Sequence, residues 1–281
     1  MLLVAVLVAL AAASGCAVAY GARRWPVPGV AEDIARTIGR QVRRGRLARF
    51  VRGRLDPAAA TGLALTLASS LFVVGGAAVG ILLVIVRAHT GEVSVDRSLA
   101  VWGAAHATGL STGVLRAVTL LGATIAVVTV TVVVGVWEYR RVPHRAIPVF
   151  LALNVIGQNL ISNLIKLGVH RVRPTIDPLT LTSGSSFPSG HATAAAACYA
   201  GLALIAGRRR SPGARSILAG AAAGIAVAVA TSRVLLGVHW LTDVLAGLAL
   251  GWSWFALCSI AFGGRILRFG QPVESATRRP P

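Results

Sequence analysis

Long apolar runs alternate with short polar stretches along the whole chain. Seven runs, at about 1–22, 58–87, 111–137, 146–168, 190–207, 215–235 and 239–263, are each near or above the ~20 residues a helix needs to cross a bilayer. They predict an all-α, polytopic membrane helix bundle. Two connecting stretches carry patterns of their own. In AEDIARTIGRQVRRGRLARFVRGR (31–54) and just beyond it, Ile34, Ile38, Val42, Leu47, Val51 and Leu55 recur every four or five residues, with arginines between them. This predicts a helix lying on the cytoplasmic membrane surface, held partly by anionic lipid and weakened by Gly39, Gly45 and Gly53. In 88–110, Val95, Leu99, Trp102 and His106 lie about one turn apart, which predicts a short helix on the opposite surface. His89 and His106 there read as solvated interface residues, and Trp25, Trp137 and Trp240 fall at run ends, where aromatic belts form.

Composition agrees with the pattern. Of 281 residues, 55% are hydrophobic and 13% charged, with a mean hydropathy of +0.73; soluble domains carry about 25% charged residues. A net charge of +19 would suggest nucleic acid for a soluble protein. In a membrane protein the positive-inside rule is the better account, and no nucleic-acid partner is expected. With Arg23 and Arg24 placed in the cytoplasm and the sides alternating along the chain, 21 of the 28 Lys and Arg fall on the cytoplasmic side. The N-terminus is then outside and the C-terminus inside. The first run has a rival reading as a signal peptide, with ASGC around Cys16 loosely similar to a lipoprotein cleavage site. It lacks a basic leading region and is longer than a usual signal core, and cleavage would leave six helices with the same topology. Cys16, Cys198 and Cys258 all fall in apolar runs, an odd and scattered set that reads as packing rather than disulfides.

The other side holds seven cations: Arg87, Arg97, Arg116, Lys166, Arg171, Arg173 and Arg233. Four of them sit at helix ends beside other polar residues, in LIKLGVHRVRPT and TSRVLLGVHWLTD, with SSFPSGHA on the same face. Each stretch has a use for a phosphate. Lys166 and Arg173 supply permanent positive charge, and a guanidinium can grip two oxygens at once. Pro174 stops helical continuation. Pro188 and Ser189 mark a helix start whose free amides would face an anion; Gly190 lets the backbone approach, Ser189 adds a hydroxyl, and His191 follows. His239 and Asp243 are four residues apart, hence on one helical face, where a carboxylate can fix the imidazole tautomer and leave the other ring nitrogen free to attack. Arg233 is a further cation. Singly these are a snorkelling lysine, an ordinary helix cap and a structural hydrogen bond. On one side of one membrane they converge on phosphate chemistry.

The pattern Lys166-x6-Arg173-Pro174, then Pro188-Ser189-Gly190-His191, then Ser232-Arg233-x5-His239-x3-Asp243 resembles the three-part signature of the type 2 phosphatidic acid phosphatase superfamily, with no position missing. The resemblance covers about 58–263. It implies a six-helix phosphatase core plus one extra N-terminal transmembrane helix. The chain would then divide into an N-terminal helix and basic segment (1–57), the membrane phosphatase domain (58–263) and a basic cytoplasmic tail (264–281), disordered from Gly270. It also implies residue roles. His239 is the nucleophile that forms a phosphohistidine, Asp243 orients it, and His191 is the general acid. Lys166, Arg173, Ser189, Gly190 and Arg233 hold the phosphoryl oxygens, with Arg171 in support. No cofactor and no metal is expected: a two-metal site needs clustered ligands, and the outer side offers only Glu92, Asp96, Asp177 and Asp243 as acids. The soluble vanadium-dependent haloperoxidases share the motifs but not the membrane spans.

The expected partner is a lipid phosphate or diphosphate held in the plasma membrane, with the site extracytoplasmic. Recycling of a polyprenyl diphosphate carrier is the first expectation. Phosphatidate or phosphatidylglycerophosphate hydrolysis and lipid phosphotransfer are the alternatives. A lipid flippase or an inactive lipid-binding protein is the alternative from another class.

Overall fold

The computed structural model describes residues 1–24, 60–88, 93–141, 143–176, 178–180 and 183–266. The basic segment 31–54, the tail from 267 onward, Trp25 and His89 lie outside the described residues. Among those described, every regular element is a helix: α1 (Leu2–Arg24), α2 (Ala60–Ala88), α3 (Ser94–Ala105), α4 (Gly109–Leu120), α5 (Thr124–Arg141), α6 (Ala146–Val169), α7 (Gly190–Gly207), α8 (Pro212–Leu235) and α9 (Leu241–Ile266). Six of these, α1, α2 and α6 to α9, are long and apolar enough to cross a bilayer, and α4 with α5 makes a seventh as a pair bent by 49°.

That bend divides the single run expected over 111–137 into two helices. Its cause is close packing at Gly122, where a Cβ would lie 2.9 Å from the His191 carbonyl oxygen and 2.6 Å from Val229 Cγ1. The Leu121 carbonyl at the break accepts a hydrogen bond from the Tyr199 hydroxyl at 2.9 Å, so the interruption leaves that group satisfied. The break itself lies against α7, while α4 packs on α8 and α5 on α7.

Helix α7 is the centre of the bundle, packed on by α5, α6, α8 and α9. Its buried run Ala192 to Cys198 has no bulky side chain, so its neighbours can come close. Lipid is as apolar as leucine, so helices associate in a bilayer through such close contact. Gly247 and Gly251 of α9 meet it there: a Cβ on either would lie 2.7 Å from the Ser189 oxygen or 2.5 Å from that of Thr193. The outer surface carries exposed Val73, Val74, Ile125, Val133, Leu160 and Leu164, an apolar belt suited to lipid.

Helix α1 is part of this packing. Gly15 lies against Gly220 and Gly224 of α8, and Leu3 and Leu7 are buried with Leu235, Leu236 and Val238 at the connection between α8 and α9. Three expectations need correction. Helix α3 forms, and His106 beyond it is exposed and stacks on Trp102, but the helix also sends Asp96 into the bundle, where it is 1% exposed. Trp240 is buried and donates its indole N–H to the Val172 oxygen at 2.9 Å, so it belongs to no aromatic belt. Cys198 and Cys258 are packed, whereas Cys16 is exposed.

Candidate active site

The site gathers side chains from the ends of α6 and α8, the starts of α7 and α9 and the segments that join them. Helix α6 ends at Val169 because His170 takes the left-handed conformation (φ 50°), four residues before Pro174. Lys166 stands in the last turn, half-buried, with its Nζ beside Gly190; a Cβ on that glycine would come within 3.6 Å of it. The extended segment that follows positions Arg173. Its Nε donates to the Gly184 oxygen (3.0 Å), its Nη2 to that of Ser183 (3.1 Å) and its Nη1 to that of Val238 (2.8 Å). Backbone carbonyls thus hold the guanidinium with Nη1 at 3.2 Å from His239 Nε2.

His239 lies two residues before α9, in the connection from α8, and not on a helical face as its spacing from Asp243 suggested. Its Nδ1 faces Asp243 Oδ2 at 3.4 Å. That oxygen also accepts from the Trp240 amide (2.9 Å) and the Ser186 hydroxyl. A proton on Nδ1 satisfies the carboxylate and leaves the Nε2 lone pair directed at the Arg173 side. Burial pushes the His239 imidazole down to about 4; Asp243 opposes that shift, while Arg173 and Arg233 add to it. The ring is therefore neutral at neutral pH, the form a nucleophile needs.

Ser189 caps α7 by position but not by chemistry. Its amide donates to the Asp243 carbonyl (3.0 Å), while its buried hydroxyl has no hydrogen-bond partner. Arg233, buried in the last turn of α8, donates through Nη1 to Thr119 Oγ1 (3.2 Å), and its buried Nε likewise has no partner. A buried donor left unpaired costs about 1–3 kcal/mol. Two in one cluster point to an acceptor that arrives with the ligand. His191, in the first turn of α7, lies within electrostatic reach of Arg233, His239, Lys166 and Arg173. All eight residues picked out by the motifs are thus brought together. Among the described residues no three His, Cys, Asp or Glu side chains are grouped as a metal site.

The motifs miss three participants. Arg171, expected in support, is buried and bridges Asp243 Oδ1 (2.6 Å) and Asp96 Oδ2 (2.8 Å). Asp96, Ser186 and Thr242 complete the network. Asp96 had one legible signal: an acid on the charge-poor side, available to an otherwise unexplained arginine, is the pairing that buried charges require.

A sequence profile of the PAP2 superfamily matches residues 147–266. Phosphatidylglycerophosphatase B of Bacillus subtilis is 36% identical over 166 residues, 56% of this chain and 78% of that protein. The chain belongs to the PAP2 superfamily. A lipid A 1-phosphatase of Rhizobium johnstonii is 34% identical over 118 residues, covering 38% of this chain and 44% of that one. The crystal structure of a transmembrane PAP2 type phosphatidylglycerolphosphate phosphatase from Bacillus subtilis superposes with a TM-score of 0.62 at 30% identity, over 72% of this chain and 98% of that chain. The chain is thus a multi-pass membrane phosphatase of the PAP2 superfamily. Asp96 and α1 lie outside the stretch the PAP2 profile matches.

Proposed function

We propose that this enzyme hydrolyses the terminal phosphate of a membrane-held lipid phosphate through a phosphohistidine on His239. The observation that carries the reading is a neutral, buried His239 between Asp243 and Arg173, beside the unpartnered donors of Ser189 and Arg233. Nε2 attacks phosphorus, the P–N bond forms and the P–O bond to the lipid breaks, and His191 gives its proton to the leaving oxygen. Water then attacks the phosphohistidine, His191 takes a proton from it, and inorganic phosphate leaves with His239 restored. Lys166, Arg173 and Arg233 neutralise the charge on the equatorial oxygens, and Ser189 with the α7 amides donates to them.

The relative and the solved structure with the broadest coverage make phosphatidylglycerophosphate the first substrate to test. A polyprenyl diphosphate is the second, supported by the distribution of Lys and Arg, which assigns the site to the extracytoplasmic face of the plasma membrane. The test is phosphate release by purified protein in detergent, where no second leaflet exists and a flippase would do nothing. We expect turnover that survives excess EDTA and falls with vanadate, a mimic of five-coordinate phosphorus. Activity lost to EDTA and restored by Mg²⁺ would overturn the metal-free chemistry. No release from any of phosphatidylglycerophosphate, phosphatidate or polyprenyl diphosphate would overturn the hydrolase reading.

A further inference from the structure

The buried network behind Asp243 extends to a residue that none of the motifs contains. Asp96 comes from α3, 147 positions before Asp243 in the chain and outside the matched family profile. Its carboxylate is 1% exposed and fully engaged: Oδ1 accepts the Thr242 amide (3.0 Å), while Oδ2 accepts the Thr242 hydroxyl (2.6 Å) and Arg171 Nη2 (2.8 Å). Arg171 in turn donates through Nη1 to Asp243 Oδ1 and to Thr242 Oγ1, both at 2.6 Å, and lies 5.7 Å from the Trp240 ring centroid. One carboxylate thus ties down the first turn of α9 and holds the arginine that occupies Asp243 Oδ1. With Oδ1 taken, only Oδ2 is left to face His239.

We propose that Asp96 is a positioning residue for the reaction, acting through Arg171 to fix the rotamer and charge of Asp243. This rests on the reading of His239 as nucleophile. The charge balance supports it. Arg171 alone would leave Asp243 in a neutral pair, poorly able to stabilise an imidazole that gains positive character as Nε2 bonds to phosphorus. With Asp96 the three groups sum to one negative charge, buried together on the Nδ1 side of His239. A purely architectural latch would need only to hold α3. It would not need an acid joined through the arginine to the carboxylate that orients the nucleophile.

The experiment is a double-mutant cycle on the full chain in detergent, with phosphatidylglycerophosphate as substrate. Asp96→Asn keeps the shape but removes the charge and sets an amide N–H against Arg171. It should lower kcat by about 10- to 100-fold, the loss seen when partners that orient metal-ligating side chains are removed, with KM unchanged. Asp96→Glu should recover part of the loss. In an Asp243→Asn background, adding Asp96→Asn should lower kcat no further, because the group through which it acts is gone. Independent, multiplicative losses would overturn the proposal and leave Asp96 as a structural latch; so would wild-type kcat in Asp96→Asn. Should Asp96→Asn fail to survive solubilisation, Thr242→Val replaces it in the same cycle. That change loosens the Asp96–Arg171 contact without removing a charge and should cost less, again with no effect once Asp243 is Asn. His239→Ala separates this inference from the reading beneath it: turnover in His239→Ala would sink the nucleophile assignment itself, whatever Asp96 does.

Discussion

His239 sits where solvent cannot reach it, and burial lowers its pKa to about 4 against the pull of Asp243. In the proposed mechanism the attacking form is the neutral ring, so protonation abolishes attack. The shift is downward, so kcat/KM should rise as pH passes through about 4 and not near 6.5. An acid limb near 6.5, the ordinary histidine value, would show that the free enzyme does not bury the ring as described. The two histidines separate by leaving group. His239→Ala should abolish turnover and covalent labelling alike. His191→Ala should lose about 10²–10⁴-fold with a lipid alkoxide leaving group, the usual contribution of a general acid, and far less with a nitrophenolate that needs no proton. Equal losses for both would make His191 a phosphate-binding residue. Ser189→Ala removes a donor that has no other partner in the fold, so it should lower kcat by about 10²–10³-fold, as loss of an oxyanion donor does. Thermal stability should be nearly unchanged, because no internal hydrogen bond is broken.

At the scale of elements, the site depends on α9 and the break between α4 and α5 approaching α7 more closely than side chains ordinarily allow. A Cβ at position 247 would strike the Ser189 carbonyl, and one at 122 would strike that of His191. Both glycines therefore set where Ser189 and His191 stand. Gly247→Val and Gly122→Val should each destabilise the protein by about 1–3 kcal/mol, the range for overpacking, and should lower kcat more than Gly76→Ala, which meets open space on α2. Melting curves and turnover measured on the same preparations check both halves. Helix α1 enters the same account: Leu3 and Leu7 back the connection that carries His239, so Leu7→Ala should weaken both stability and turnover.

For the whole molecule, the proposal that the site faces outward rests on the distribution of cations. An excess of Lys and Arg on one set of connections retains that set in the cytoplasm. The exposed Thr175, in the segment after Arg173, and Arg209, between α7 and α8, then lie on opposite sides. In a background lacking Cys16, the one exposed native thiol among the described residues, Thr175→Cys should react with an impermeant thiol reagent in intact cells. Arg209→Cys should react only after permeabilisation. The reverse pattern would place the site in the cytoplasm and remove the case for a polyprenyl diphosphate released outside.

Much of this was legible along the chain, because a bilayer reads sequence almost one segment at a time. Long apolar runs must become helices to satisfy their own backbone, and arginine counts bias their direction. Phosphate chemistry draws on few residue types, so Lys166, Arg173, Ser189, His191, Arg233, His239 and Asp243 declare themselves by spacing and by the side they share. What only the tertiary structure decided concerns contacts between segments. The break at Gly122 follows from α7 passing within van der Waals range, and no local signal marks it. Trp240 lies at a run end, yet the fold buries it against the segment after α6. Asp96 reads as one polar position on a surface helix until α3 is laid beside α9, when it becomes the counter-charge that a buried arginine requires. Periodicity and charge count are properties of neighbours in sequence. Burial and pairing of charge belong to neighbours in space, here 75 residues apart for Asp96 and Arg171 and 72 for Arg171 and Asp243.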